Sequence, residues 1–393
     1  MYKYIQDTIT KTGFQPSKNQ RAREMDSEEV SPFHGDTLEA ILSHVGIPDL
    51  LRLALVNGAW NKAAISVLGQ ALADCKPWLL LHRHSRRRPY ESTVHAYDPY
   101  SRSWIRLPHS QPSLDSYRFR SSQSNLLYTL SPSRIAFSID PLKQQWHHTG
   151  GEGMQVWRMH PVVATFESES STKVVVIGGT YDFEDDPLSV EIFDSSIQRW
   201  ETCDSLPETF RGRASASWLS VAICHKIHIL DKNSGLFCSF DPDTKKWGTL
   251  AVIFSEPAVF ESMIVWVGDK IILVGLLGEA TNVSSVGIWE VNCEGNECRL
   301  IGESPPQICR ETFPSEAGAM GFDCIAANGL IYVYNPCMWG QILTCDVSGA
   351  GCKWGVIEKS DLEGEGMELD SWVFTCSSVG IEDLIKVFEI KRR

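Results

Sequence analysis

At 393 residues, with 43% hydrophobic and 22% charged side chains, the chain is long enough to bury a sizeable core. Its net charge of −13 argues against nucleic acid as a partner. No stretch approaches the 18 or so apolar residues of a membrane helix and no apolar signal core opens the chain, so a protein of the cytoplasm and/or nucleus, without a membrane partner, is expected.

Residues 1–35 are polar and mixed in charge and are expected to be a disordered extension, with Met25 a plausible alternative start. Asp36-Thr37-Leu38-Glu39 then reads as a helix start with an acidic cap and a glutamate three residues on, and Leu38, Ile41, Leu42 and Val45 follow at helical spacing. Gly46 and Pro48 interrupt that helix. A second covers Leu50 to Val56, and a third from about Ala59 carries Trp60, Ala64, Val67 and Leu68 on one side. Three short helices within residues 36–76 bury little surface by themselves. A partner is expected to meet Leu38, Ile41, Leu42, Val45, Leu50, Leu53, Val56 and Trp60.

From residue 77 the period changes to that of short strands. An Asp closes an apolar run and a Trp follows six residues later at Asp98/Trp104, Asp140/Trp146, Asp194/Trp200 and Asp241/Trp247, and eight later at Asp346/Trp354. The first four Asp residues stand 42, 54 and 47 residues apart, and the interval of 105 to Asp346 has room for two units, one of which, near Val291, lacks both marks. Repeats of about 50 residues built from strands indicate a propeller of four-stranded blades. The best unit shows all four strands: Val162 to Phe166, Val174 to Ile177 ending in Gly178-Gly179, Val190 to Asp194, and a last one from Trp200 to Leu206-Pro207. The recurrent Asp is expected to serve a turn, and the Trp to pack across to the next blade. Six blades result. The first has room for only three strands, Trp78 to His82, Val94 to Tyr97 and Ser103 to Leu107, so Trp372 to Cys376 is the expected donor of the fourth, closing the ring.

The run ending in Gly178-Gly179, followed by Phe193-Asp194 and Trp200, resembles the kelch repeat, over roughly residues 77 to 376. Ile41 to Val45, Pro48 to Leu53 and Val56 to Trp60 look like an F-box, with His34-Gly35 in place of the family's Leu-Pro and Asn57-Gly58 where Cys-Lys or Cys-Arg is common. Together they resemble the plant F-box/kelch-repeat family. That resemblance implies a mainly β fold, a six-bladed kelch β-propeller over 77–393 preceded by a three-helix F-box segment over 36–76. It also implies a non-catalytic substrate receptor of an SCF-type cullin-RING ubiquitin ligase. The helices would bind a Skp-family adaptor and through it a cullin; the propeller would hold a target protein for ubiquitination and proteasomal degradation. Some members bind phenylalanine ammonia-lyase or chalcone synthase, so an enzyme of phenylpropanoid or flavonoid synthesis such as chalcone synthase is an implied target. The alternative from another class is a kelch scaffold or inhibitor whose helices only dimerise or cap.

Twelve cysteines from Cys75 to Cys376 include no Cys-x-x-Cys; the closest pairs are Cys293/Cys298 and Cys345/Cys352, and reduced buried thiols are expected. His82/His84, His147/His148 and Cys224/His225/His228 lack accompanying ligands at metal spacing, so no metal and no cofactor is expected. Loops between second and third strands share one face with the interblade connections. They are placed at 83–92, 131–134, 178–189, 231–235, 275–285 and 335–340. Their side chains Arg86, Arg87, Arg88, Glu184, Asp185, Asp186, Met338 and Trp339 form the expected substrate-binding face.

Overall fold

The computed structural model describes residues 35–73, 76–84, 92–107, 118–131, 133–167, 171–180, 185–253, 258–293, 297–314, 321–337, 340–349, 351–358, 371–380 and 383–384. The expected extension, apart from Gly35, lies outside them. Two compact units result. One holds the chain up to Trp78 with Ala96–Pro108 and Ser378 onward; the other holds Leu79–His95 with His109–Ser377.

In the first unit, α1 (Asp36–Leu42), α2 (Ile47–Leu53) and α3 (Gly58–Ala73) form because apolar residues recur at helical spacing, and α1 and α2 both pack on α3. The expected acidic cap is not made. Gly35, at φ 55°, takes the N-cap position with no side-chain cap, and Asp36 is the first helical residue. Glu39 does not fold back; its Oε2 accepts the Ser66 hydroxyl of α3 at 2.9 Å, because a tie between helices is within its reach. The helix that is capped is α3, where Asn57 Oδ1 accepts the N–H groups of Ala59 and Trp60, both at 3.0 Å. Leu38, Leu42, Ile47, Leu50, Ala64, Val67 and Leu68 are buried and make the core of this unit. Tyr100 joins it by donating its hydroxyl to the Ser43 carbonyl at 2.8 Å.

Six antiparallel sheets form a six-bladed β-propeller. Blade one is β1 (Trp78–His84), β2 (Ser92–Asp98) and β3 (Ser103–Leu107), with β24 (Ser371–Ser377) from the far end of the chain beside β1. Blade two is β4 (Leu127–Ser131), β5 (Arg134–Ser138) and β6 (His147–His148), its inner strand reduced to a bridge between Arg120 and Tyr128. Blade three is β7 (Val162–Glu167), β8 (Thr172–Ile177), β9 (Val190–Asp194) and β10 (Arg199–Thr202). Blade four is β11 (Leu219–Ile223), β12 (Ile227–Asp231), β13 (Leu236–Asp241) and β14 (Lys246–Trp247), with β15 (Ala251–Val252) also on β13. Blade five is β16 (Val259–Val267), β17 (Lys270–Glu279), β18 (Asn282–Asn292) and β19 (Glu297–Glu303); blade six is β20 (Asp323–Ala327), β21 (Leu330–Tyr334), β22 (Ile342–Asp346) and β23 (Lys353–Ile357). Around the channel β7 neighbours β11, β11 neighbours β16, β16 neighbours β20 and β20 neighbours β24. The Cys376 N–H, donating to the Ser124 carbonyl at 2.7 Å, carries the ring into blade two.

The Asp-to-Trp spacing has a backbone cause. Each Asp carboxylate accepts an N–H from the following turn: Tyr100 at 2.9 Å, Lys143 at 3.2 Å, Ser196 at 2.8 Å, Asp243 at 3.0 Å and Ser348 at 3.1 Å. Four residues after the first four Asp come Arg102, Gln144, Gln198 and Lys245, all left-handed with φ between 50° and 58°. That turn sets the register, pairing Trp200 with Phe193 and Trp247 with Phe240, rings 5.3 and 4.9 Å apart. The Trp faces the preceding blade, not the next one. Trp200 lies in the core between blades two and three, Trp247 in that between three and four, and Trp354 in that between five and six. Residues 275–285 are also not a loop: β17 and β18 run on to a turn at 280–281, because Leu276, Val283 and Val286 are buried and extend the pairing.

Candidate functional site

On the face that carries the interblade connections, three chain segments meet at Gly178-Gly179. The Gly179 N–H donates to the Ala214 carbonyl and the Met159 N–H to the Gly179 carbonyl, both at 2.7 Å, while the Ala216 N–H reaches the His160 carbonyl at 2.9 Å. Both glycines have positive φ, 59° and 68°, and a Cβ would lie 2.2 Å from Ala214 O at one and 2.2 Å from Pro161 N at the other. Gly179→Ala is therefore expected to destabilise the fold by more than about 2 kcal/mol, read as a lower urea midpoint at unchanged slope.

The connection from blade two is held by Arg158, which is buried. Its Nη1 donates to the carbonyls of Gly178 (2.6 Å) and Ser189 (3.1 Å), and its Nη2 to Glu191 Oε2 (2.9 Å) on β9. The other Glu191 oxygen accepts the Gln155 N–H at 2.7 Å. Burial pulls the Arg158 pKa down and the Glu191 carboxylate opposes that shift. With Arg158 pinned inward, its neighbours point outward: Trp157 is 58% exposed and Met159 49%. Trp218, one residue before β11, adds a second indole at 45%, and Val252 of β15 a fourth apolar side chain. These are aromatic and apolar groups on a rigid platform, the composition of an interface centre.

Charges surround them in pairs. Arg213 holds the buried Asp231 at 3.0 Å, and Arg211 bridges Glu208 and Asp186. At the channel mouth, Asp323 and Glu261 both have raised pKa values, chiefly from burial, with Lys232 opposing the shift. The mouth opens on a cavity of about 60 Å³ lined by Lys232, Asp323 and Tyr334, and a second of about 210 Å³ adjoins Gln123, Glu167 and Cys224. Both fall below the roughly 300 Å³ at which small-molecule pockets begin. Among the described residues no three His, Cys, Asp or Glu side chains are grouped to hold a metal ion. No helix of the described residues is long and apolar enough to cross a membrane.

Of the expected substrate-face residues, Asp185 and Asp186 lie on this face, in the loop between β8 and β9. Asp186 is engaged locally, by the Leu188 N–H at 3.1 Å and the Ser205 hydroxyl at 3.2 Å as well as Arg211. Arg86, Arg87, Arg88, Glu184, Met338 and Trp339 lie outside the described residues. The expected adaptor-binding set divides by burial. Leu38, Leu42 and Leu50 are inside the helical core, Val45, Leu53 and Trp60 are half-buried, and Ile41 and Val56 are 43% and 56% exposed. Sequence reasoning missed Trp157, Arg158, Met159 and Trp218. The available signal was that Trp157 and Trp218 are among the eight tryptophans outside the Asp-to-Trp spacing.

No protein-family model matches the chain. An F-box/kelch-repeat protein of Arabidopsis thaliana is 31% identical over 378 residues, covering 92% of this chain and 93% of the relative. Among solved structures, a Bacteroides fragilis protein provisionally assigned as a 6-phosphogluconolactonase matches with a TM-score of 0.40 at 11% identity, over 72% of this chain and 82% of that one. Its similarity is too low to bear on function. Repeat turns, closed propeller, helical segment and a relative aligned along nearly the whole length agree, and the chain belongs to the plant F-box/kelch-repeat protein family.

Proposed function

We propose that this protein is the substrate-recognition subunit of an SCF-type cullin-RING ubiquitin ligase, acting in the cytoplasm and/or nucleus. The helical unit binds a Skp-family adaptor, and the propeller face around Trp157, Met159 and Trp218 binds the target protein. The observation that supports this most is that platform, where two indoles and a thioether stand in water above a backbone fixed by a buried ion pair. An exposed set of that kind is the usual mark of a protein-binding surface. The protein makes or breaks no bond itself. Its contribution is effective concentration: two binding surfaces on one chain keep a target lysine near the ubiquitin thioester. The finer reading names the target as an enzyme of phenylpropanoid or flavonoid synthesis, with chalcone synthase as the first to be tried.

A two-armed binding experiment tests it. Trp157→Ala/Trp218→Ala is expected to weaken capture of the target about a thousandfold, at roughly 2 kcal/mol for each indole, and to leave adaptor binding unchanged. Ile41→Asp/Val56→Asp is expected to do the reverse, since both side chains are exposed and the helical core is untouched. Proximity labelling with and without proteasome inhibition supplies the target, and purified chalcone synthase is tested beside it. Capture of a target with no adaptor or cullin recovered would overturn the ligase reading in favour of a scaffold or inhibitor.

A further inference from the structure

The outer hairpin of blade six brings two cysteines together. β22 and β23 pair with Cys345 opposite Trp354 and Asp346 opposite Lys353. Cys352, one residue before β23, thus leaves the hairpin on the Trp354 side and diagonal to Cys345. The two thiols thus stand on one face of the hairpin, within hydrogen-bond reach of each other at the core between blades five and six. Cys345 is fully buried in the core between blades five and six, while Cys352 is half-buried at its edge. Its position is set by Gly302 of β19, where a Cβ would lie 2.4 Å from Cys352 Sγ, so only a glycine leaves room for the thiol.

We propose that Cys345 and Cys352 form a reversible dithiol/disulfide site whose oxidant is a hydroperoxide, independently of the ligase reading above. Both sulfurs lie on one face at the open end of a two-stranded hairpin, so a bond between them asks for a local shift of the turn at residues 347–352. A hydrogen bond from Cys345 lowers the Cys352 pKa, so the reachable thiol of the pair is the one favoured as thiolate; the same bond and burial raise Cys345. The Cys352 thiolate attacks the terminal peroxide oxygen, the O–O bond breaks, and the alkoxide leaves with a proton as alcohol, giving a sulfenic acid at Cys352. The Cys345 sulfur then attacks the Cys352 sulfur, the S–O bond breaks, and the departing hydroxide takes the Cys345 proton and leaves as water. Two thiols are oxidised by two electrons and the hydroperoxide is reduced to alcohol and water. A dithiol reductant reverses the step by exchange.

Cys293 and Cys298 provide an internal comparison, because Val291 pairs with Cys298 and so puts these two cysteines across the opposite diagonal of the blade-five hairpin. There burial raises both thiols, Cys298 to about 11.

The test treats the full chain with graded hydrogen peroxide, alkylates the remaining thiols and maps the peptides. A Cys345–Cys352 disulfide is expected to form first, about tenfold faster than any oxidation of Cys238 or Cys298, and to be reversed by dithiothreitol. In Cys345→Ser, dimedone is expected to trap a sulfenic acid at Cys352; in Cys352→Ser, Cys345 stays reduced. Both are single-atom changes, and circular dichroism reports whether each variant folds. The proposal is overturned if both thiols are still alkylated once exposed Cys337 is oxidised, if a Cys293–Cys298 link forms first, or if dimedone finds nothing at Cys352 in folded Cys345→Ser.

Discussion

Replacing Glu191 with alanine is expected to cost the propeller about 3–5 kcal/mol, because it leaves a guanidinium buried without its counter-ion. The side chains of Arg158 and Glu191 are 0% and 2% exposed, and the carbonyls that accept from Arg158 Nη1 carry no charge to replace the carboxylate. Exposed pairs do not behave so. Lys245 with Glu201, each more than a third exposed, is expected to contribute at most about 1 kcal/mol. Urea unfolding of Glu191→Ala and Glu201→Ala gives the comparison, and equal losses in the two would show that the buried pair is not the anchor inferred here. A paired apolar replacement, Arg158→Met/Glu191→Leu, is expected to recover most of the stability, since the cost lies in the unpaired charge. It is also expected to weaken target capture, because the hydrogen bonds from Arg158 are what turn Trp157 and Met159 outward.

Removing residues from Leu369 onward is expected to turn the propeller into an aggregating species, a larger effect than any point substitution. The deletion takes away β24, with Phe374, Thr375 and Cys376 all fully buried. Three joints are lost with it: His82 Nε2 to Thr375 Oγ1 at 2.9 Å within blade one, the Tyr334 to Phe374 ring contact at 4.6 Å to blade six, and the Cys376 to Ser124 hydrogen bond to blade two. Two strand edges and an apolar seam open to water. Size-exclusion chromatography is expected to show oligomers and loss of a single cooperative melt, whereas deletion of residues 1–24 is expected to leave both unchanged. A monomeric truncation with the parent melting temperature would place closure elsewhere.

The turns and blades were legible in the sequence because their causes are local. An Asp that accepts an N–H from a residue two or three on, a left-handed residue four on, and a Trp that must face the residue before the Asp are confined to eight positions and repeat with the blade. The helices were legible by period, although not their caps. Glu39 looks like half of a capping box until Ser66 of another helix is there to take it. Local pattern also failed in blade five, where Gly275 and Gly278 suggest a loop and burial of Leu276, Val283 and Val286 keeps the strands paired.

The site was mostly beyond the sequence. Trp157 and Trp218 are 61 residues apart and belong to different connections, and nothing in either neighbourhood distinguishes an indole in water from one in the core. What exposes them is Arg158, held inward by a glutamate 33 residues later and by the carbonyl of a glycine whose conformation admits no side chain. The same holds for Cys345 and Cys352. Their spacing is visible in the chain, but the thiol contact requires a hairpin register and the open space above Gly302 in the neighbouring blade. By itself the sequence determined the repeat, the blade count and the helical segment, because hydrogen bonds and side-chain period within a few residues decide those. Only the tertiary structure decided which side chains stand in water and which charges and thiols meet, because such contacts depend on how separate blades close against one another.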